Sequence, residues 1–291
     1  MSNLSKRVLS AIFVVPFVYL IIYVGGAAYL ILTLALIVLC ARELHRLVKV
    51  KGVEQSRLVV PTMSIFIALG AWQGYEYGAI ALTVSLFGVF IIEVLRGKVI
   101  HSMYRLGLSI FGVIYIGWFL SHALLLRKLD SIPAVDAHLS IPLLEKWVYQ
   151  LSAVEPGFFF VFFVVSCTAL NDTFAYFTGK LLGRTKLIPE VSPGKTIKGT
   201  VGGVVMSGVC GAVINFLFAT PFPAYLALLW GLLIGCTAVL GDLIESLIKR
   251  DAGSKDSGRL IPGHGGALDR ADSMIFTLPV SYYFLVILEH F

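Results

Sequence analysis

Nine long apolar stretches alternate with short polar breaks along this chain, near residues 8–24, 27–41, 58–74, 79–95, 106–126, 157–177, 200–219, 223–244 and 271–288. The breaks are Gly25-Gly26, the basic run from Arg42 to Arg57, Tyr75-Glu76-Tyr77-Gly78, the run from Arg96 to Arg105, the polar stretch 127–156 and Pro221-Phe222-Pro223. A spanning helix needs about 20 apolar residues, whereas barrel strands read as weak ~10-residue alternating segments. Continuous runs of this length predict helices. The first run follows Ser5-Lys6-Arg7, as a secretory signal would, but it is long for a signal core and leads straight into a second span. It is read as an uncleaved anchor. The expected fold class is all-α, a polytopic helical membrane protein with about nine transmembrane helices. Residues 1–156 supply five spans without a chemical motif, and 157–291 supply four spans with the chemistry-bearing loops.

Composition removes the alternatives. Of 291 residues, 58% are hydrophobic and 14% charged, with a mean hydropathy of +0.89. A soluble domain carries about 25% charged residues, and this chain in water would expose large apolar patches. Disorder fails for the opposite reason, since so apolar a chain does not stay solvated. Cys40, Cys167, Cys210 and Cys236 all fall inside apolar runs without CxxC spacing, so they read as small packing residues rather than zinc ligands or a disulfide framework.

The net charge of +6 could suggest nucleic acid, but its distribution points to a membrane. With the N-terminus in the cytoplasm, nine spans leave only Arg127, Lys128 and Lys146 of the 23 Lys and Arg on the outer side. That split obeys the positive-inside rule. No nucleic-acid partner is expected. The short N-terminal arm suggests a bacterial inner membrane.

Charge inside a span is costly, yet the last third of the chain carries it repeatedly. Asp172 follows an apolar run, and Asp172, Tyr176 and Lys180 then recur at i, i+4 and i+8. One helical face is expected to carry them toward the bundle interior, either as a helix–helix hydrogen bond or as part of a site. Next comes the loop Ser192-Pro193-Gly194-Lys195-Thr196-Ile197-Lys198-Gly199. It is not a P-loop, because Pro189 stands where that pattern needs its first glycine. It is a lysine-bearing turn at a helix start, suited either to phosphate or to anionic headgroups.

The densest cluster runs from Gly241-Asp242 to Asp272. Asp242, Glu245, Ser246 and Lys249 share one helical face, and Asp269 and Asp272 lie one turn apart at the start of the next helix. Between them stand Arg250, Lys255, Asp256 and the run Pro262-Gly263-His264-Gly265-Gly266. Carboxylates from two helices, with few histidines, fit a hard cation such as Mg²⁺. The surrounding cations suit a polyphosphate. His264 alone reads more simply as a hydrogen-bonding loop residue than as a base.

These residues resemble the phosphatidate cytidylyltransferases, or CDP-diacylglycerol synthases, whose signature looks like S-x-x-K-R-x4-K-D-x-x-x-x-[IL]-P-G-H-G-G-x-x-D-R-x-D. Ser246, Lys249, Arg250, Lys255, Asp256, Ile261 to Gly266, Asp269, Arg270 and Asp272 match it. Ser192-Pro193-x-Lys195-Thr196, Asp172-x-x-Ala175-Tyr176 and Gly241-Asp242 are similar to the family's as well. Lys198 departs from it, standing where the family often carries an acid or a glutamine. The resemblance implies the reaction CTP + phosphatidate → CDP-diacylglycerol + pyrophosphate, and a dimer.

By that analogy Asp242 and Asp269 are the primary metal ligands, with Asp272, Asp256 and Asp172 in support. Mg²⁺ is the implied cofactor, and a second, monovalent cation stays open. Lys195, Lys249, Lys255, Arg250 and Arg270 are expected on phosphates, with Ser192, Thr196, Tyr176, His264 and the backbone of Gly263 to Gly266 in substrate contact. Two other classes compete. An ion-coupled transporter would place its carboxylates near the midplane on broken helices, and these cluster at one face. A CDP-alcohol phosphatidyltransferase needs an Asp-Gly start that does not precede Asp269-x-x-Asp272.

Overall fold

Each apolar stretch forms a helix in the computed structural model, which describes residues 3–129, 155–218, 222–258 and 265–289. Among these residues the helices are α1 Asn3–Val24, α2 Gly26–Val50, α3 Val59–Gln73, α4 Tyr75–Arg96 and α5 Ser102–Arg127. They continue with α6 Pro156–Leu182, α7 Ile197–Leu217, α8 Ala224–Asp251 and α9 Leu268–Glu289. Several outrun the apolar stretch that predicted them, because polar residues at a helix end leave the backbone ladder intact while closing the hydropathy signal. α2, α6 and α8 gain roughly one to three turns in this way, and those turns carry chemistry-bearing residues.

Seven of the helices are long and apolar enough to cross a bilayer, from α2 and α4 through α9. α3, with 15 residues, and the apolar run Val14–Val24 within α1 are shorter. At 1.5 Å per residue α3 reaches only ~22 Å, against about 30 Å of hydrocarbon. The chain is an all-α integral membrane protein. One small sheet accompanies the helices, a hairpin of β1 Lys186–Ile188 and β2 Ser192–Thr196, antiparallel with Lys186 opposite Thr196 and Ile188 opposite Ser192.

The chain groups into two compact units. The first comprises residues 1–125 and 244–275. In it α3 lies along α4 over a core of Ile67, Ala81, Val89, Val113 and Trp118. α5 takes a π turn at Val113–Trp118, where Gly117 lets its backbone approach Ser64. The loop 97–101 is closed by the buried Arg105, which pairs with Glu93 (Nε to Oε1, 2.6 Å) and donates to Ile100 O. Glu54, in the α2–α3 connection, is held below the usual carboxylate range by the hydrogen bond and charge of Lys98. The signature segment 244–275 belongs to this unit.

The second unit comprises residues 126–243 and 276–291. Its main seam joins α6 to α7. A β-carbon on Gly199 would stand 2.7 Å from Ala175 O, and one on Gly203 2.7 Å from Asn171 O. Small residues therefore bring the two backbones close, the usual route to tight helix packing in lipid. Phe163 stacks on Trp230 at 4.0 Å between centroids, and Thr168 Oγ1 lies 3.4 Å from Thr277 Oγ1.

Candidate active site

In the second unit the hairpin delivers the basic loop to α8. β2 runs directly into α7, and Thr196 caps that helix: its Oγ1 accepts from Gly199 N–H at 3.1 Å. The preceding residue, Lys195, reaches α8 and pairs with Asp242 (Nζ to Oδ2, 2.8 Å). Two residues singled out separately in the sequence are thus one ion pair. Ser192 is half-buried in β2, whereas Lys198 is exposed on the first turn of α7. The Asp172–Tyr176–Lys180 stripe departs from expectation. All three are exposed, with the Lys180 ammonium 5.9 Å from the Tyr176 ring. The interior face of α6 belongs instead to Asn171, Ala175 and Gly179, the small side that meets the glycines of α7. Asp172 Oδ1 accepts from the Asn171 amide at 3.1 Å.

In the first unit α8 ends with Glu245, Ser246, Lys249 and Arg250. Glu245 and Ser246 are buried, and Lys249 is partly buried on the same face, as the spacing required. Lys249 Nζ pairs with Glu245 one turn back and with Asp269 Oδ1 on α9 at 2.7 Å. Asp269 is the hub. Its Oδ2 accepts from Gly266 N–H at 2.7 Å, Ser257 Oγ at 2.9 Å and Ser257 N–H at 3.1 Å. The glycine pair has two separate reasons. Gly265 adopts φ +82°, which side chains rarely tolerate, and Gly266 packs where no β-carbon fits. Gly266 N–H serves Asp269 rather than standing open to a phosphate. Lys255, Asp256, Arg250 and Arg270 are exposed around this hub, and Asp272 is half-buried on α9. Gly263 and His264 lie outside the described residues.

Among the described residues no three His, Cys, Asp or Glu side chains stand together as a ready-made metal cage. Mg²⁺ seldom needs one, since it takes one or two carboxylates and fills its octahedron with water and substrate phosphates. The donors fit that habit. Asp242 and Asp269 each present oxygens to a lysine ammonium, and the buried Oε1 of Glu245 receives no hydrogen bond.

One participant was not legible in the sequence. Glu43, near the end of α2, is 4% exposed and meets the signature segment through Ser257, Ala267 and Leu268. It sits in a basic stretch without a motif. The available signal was weak: a lone acid between Ala41 and Leu44 on the apolar side of α2.

A helical membrane protein that pairs lysines with Asp242 and Asp269 fits a nucleotidyl-transfer enzyme, and comparison with known proteins agrees. The profile of the cytidylyltransferase family matches residues 5–288, and the chain belongs to that family. Phosphatidate cytidylyltransferase of Synechocystis is 34% identical over 98% of this chain and 97% of its own length. The enzyme of that name from Bacillus subtilis is 30% identical over 99% of both chains. Phosphatidate cytidylyltransferase 4, chloroplastic, of Arabidopsis thaliana is 33% identical over 98% of this chain and 74% of its own.

Proposed function

We propose that this chain transfers the cytidylyl group of CTP to phosphatidate, releasing pyrophosphate and leaving CDP-diacylglycerol in the membrane. Two ion pairs built from residues similar to the family's, Lys195–Asp242 and Lys249–Asp269, are the observation that carries the reading. Lysine ammoniums parked on carboxylates can turn to an arriving triphosphate, which frees the carboxylate oxygens for a cation.

The reaction needs no side-chain nucleophile. An anionic phosphate oxygen of phosphatidate attacks the α-phosphorus of CTP, a new P–O bond forms, and the bond to the β-phosphate bridging oxygen breaks as pyrophosphate departs. Catalysis then consists of aligning two anions and stabilising the leaving group, the regime of positioning and electrostatics. Lys195 from β2 and Lys249 from α8 would hold phosphates, with the exposed Lys255, Arg250 and Arg270 to receive the remaining charge. Asp242 and Asp269 would hold Mg²⁺, which offsets triphosphate charge when bound. The excess of Lys and Arg on one side supports a site on the cytoplasmic face of a bacterial inner membrane, where soluble CTP would meet an embedded lipid.

The decisive assay uses purified protein with CTP, phosphatidate and Mg²⁺ and measures pyrophosphate release. Release that needs all three is the expected result, and release without phosphatidate, or none, removes the reading. A reporter fused after Lys186 should be cytoplasmic, and an external reporter would put the site on the wrong side for CTP.

A further inference from the structure

The segment that joins α8 to α9 carries most of the signature, and at Ser257 and at Ala267-Leu268 it meets a residue more than 200 positions upstream. Glu43 Oε1 accepts from Ala267 N–H at 3.0 Å. Its Oε2 accepts from Leu268 N–H at 2.9 Å and lies 2.9 Å from Ser257 Oγ. Ala267 and Leu268 stand at the first turn of α9, where backbone N–H groups have no partner within the helix. A carboxylate there satisfies the donors and complements the positive end of the helix dipole. Removing it would leave two buried N–H groups without an acceptor.

The contact continues to Asp269. Ser257 Oγ lies 2.9 Å from both Glu43 Oε2 and Asp269 Oδ2. A hydroxyl has one proton, so it can donate to only one of these oxygens at a time, and it links the positions of the two acids. Sterics repeat the arrangement. A β-carbon on Gly266 would collide with Glu43 Oε2, and one on Gly258 with Glu43 Oε1. Both glycines are therefore gaps that the Glu43 carboxylate fills. Gly266 in turn donates its N–H to Asp269. The lysine-bearing side of the hub is held by Lys249, and the opposite side rests on Glu43 through Ser257 and Gly266.

We infer that Glu43 is a positioning residue for the cytidylyl-transfer site: it fixes the entry to α9 and thereby aims the Asp269 carboxylate without touching substrate. This role rests on the reading of the site given above, and its test keeps the two apart. Glu43→Gln preserves shape but replaces one acceptor oxygen with a donor facing N–H groups. It should lower kcat at least about thirtyfold while KM for phosphatidate moves less than about threefold, and the Mg²⁺ needed for half-maximal rate should rise. Glu43→Asp should recover part of the lost kcat. Gly266→Ala, which pushes the same carboxylate from the other side, should reproduce the Gln phenotype.

Hydrogen exchange gives the readout independent of activity. In Glu43→Gln the amides of 266–269 should exchange at least about tenfold faster, while those of α7 stay as in the wild type. Unchanged exchange at 266–269 overturns the inference. So does activity lost only in proportion to folded protein, with normal kcat per folded molecule. If the wild type shows no CTP-dependent pyrophosphate release, the proposed reaction falls, and the exchange result still decides whether Glu43 sets this junction.

Discussion

The two carboxylate–lysine pairs look alike in sequence and differ in build. Asp242 meets Lys195 in a setting where their side chains are 32% and 22% exposed. Asp269 and Lys249 are 10% and 13% exposed, and three further hydrogen bonds to Ser257 and Gly266 converge on the second Asp269 oxygen. A half-exposed ion pair contributes little to stability and exchanges readily. A buried carboxylate with several donors is expensive to disturb, because each donor left unpaired keeps its desolvation penalty. The contrast separates a mobile partner from a fixed one. On the proposed reading Asp242–Lys195 opens when a triphosphate arrives, whereas Asp269 is already held by its donors.

The largest effect is expected at the fixed member. Asp269→Asn removes negative charge from the proposed hard-cation ligand and turns an NH₂ group toward donors on Ser257 and Gly266. Turnover should fall at least about a hundredfold, ~2.7 kcal/mol of barrier, and thermal stability should fall with it. Asp242→Asn sharpens the comparison. A similar loss of turnover is expected there, but with the melting temperature within a few degrees of wild type. The double variant should be little slower than Asp269→Asn alone, because residues that act as a unit are not additive. Near-normal turnover per folded molecule in either single variant, across a Mg²⁺ titration, would remove the metal pair. Equal stability losses in both would erase the distinction between them.

How much of this was legible depends on which physics writes the signal. Lipid demands long apolar runs, so the helices of the described residues were visible in hydropathy, but helix ends were read short wherever polar residues extended them. Charge clustering exposed Lys195, Asp242, Lys249 and Asp269. It could not show that they pair as Lys195–Asp242 and Lys249–Asp269, because pairing is a tertiary fact. The 172–176–180 spacing fixed a face of α6 without fixing its direction. The glycines of α7 settled that, by packing against Asn171, Ala175 and Gly179. Glu43 was hidden because two of its three donors are backbone N–H groups, which leave no mark on sequence. The hairpin was hidden by its length, since three- and five-residue strands are too short for periodicity to register.

A smaller effect is expected on the mobile side. Lys195→Ala should raise KM for CTP about tenfold, because it removes a phosphate-facing cation and leaves Asp242 without its ammonium. The protein should stay folded, since Thr196 continues to cap α7. An unchanged KM for CTP would mean that the pair is structural and that the basic hairpin belongs to headgroups rather than to nucleotide.

The smallest effect separates neighbours on the same loop. Lys195 and Lys198 are three residues apart and carry the same charge, so a reading based on basicity alone treats them equally. The structure does not. Lys195 is partly buried on β2 and turned to Asp242, whereas Lys198 is exposed on the first turn of α7, one residue past its start. A cation there also opposes the positive end of the helix dipole, a small unfavourable term of about 0.3–1 kcal/mol. Lys198→Gln removes that term and touches no ion pair found among the described residues. Its KM for CTP should stay within about twofold of wild type, and its melting temperature should hold or rise slightly. Steady-state kinetics at two salt concentrations make the distinction sharp, because a long-range electrostatic contribution from Lys198 would fade with added salt. If Lys198→Gln raised KM as much as Lys195→Ala at both concentrations, the ion pair with Asp242 would not be what singles Lys195 out.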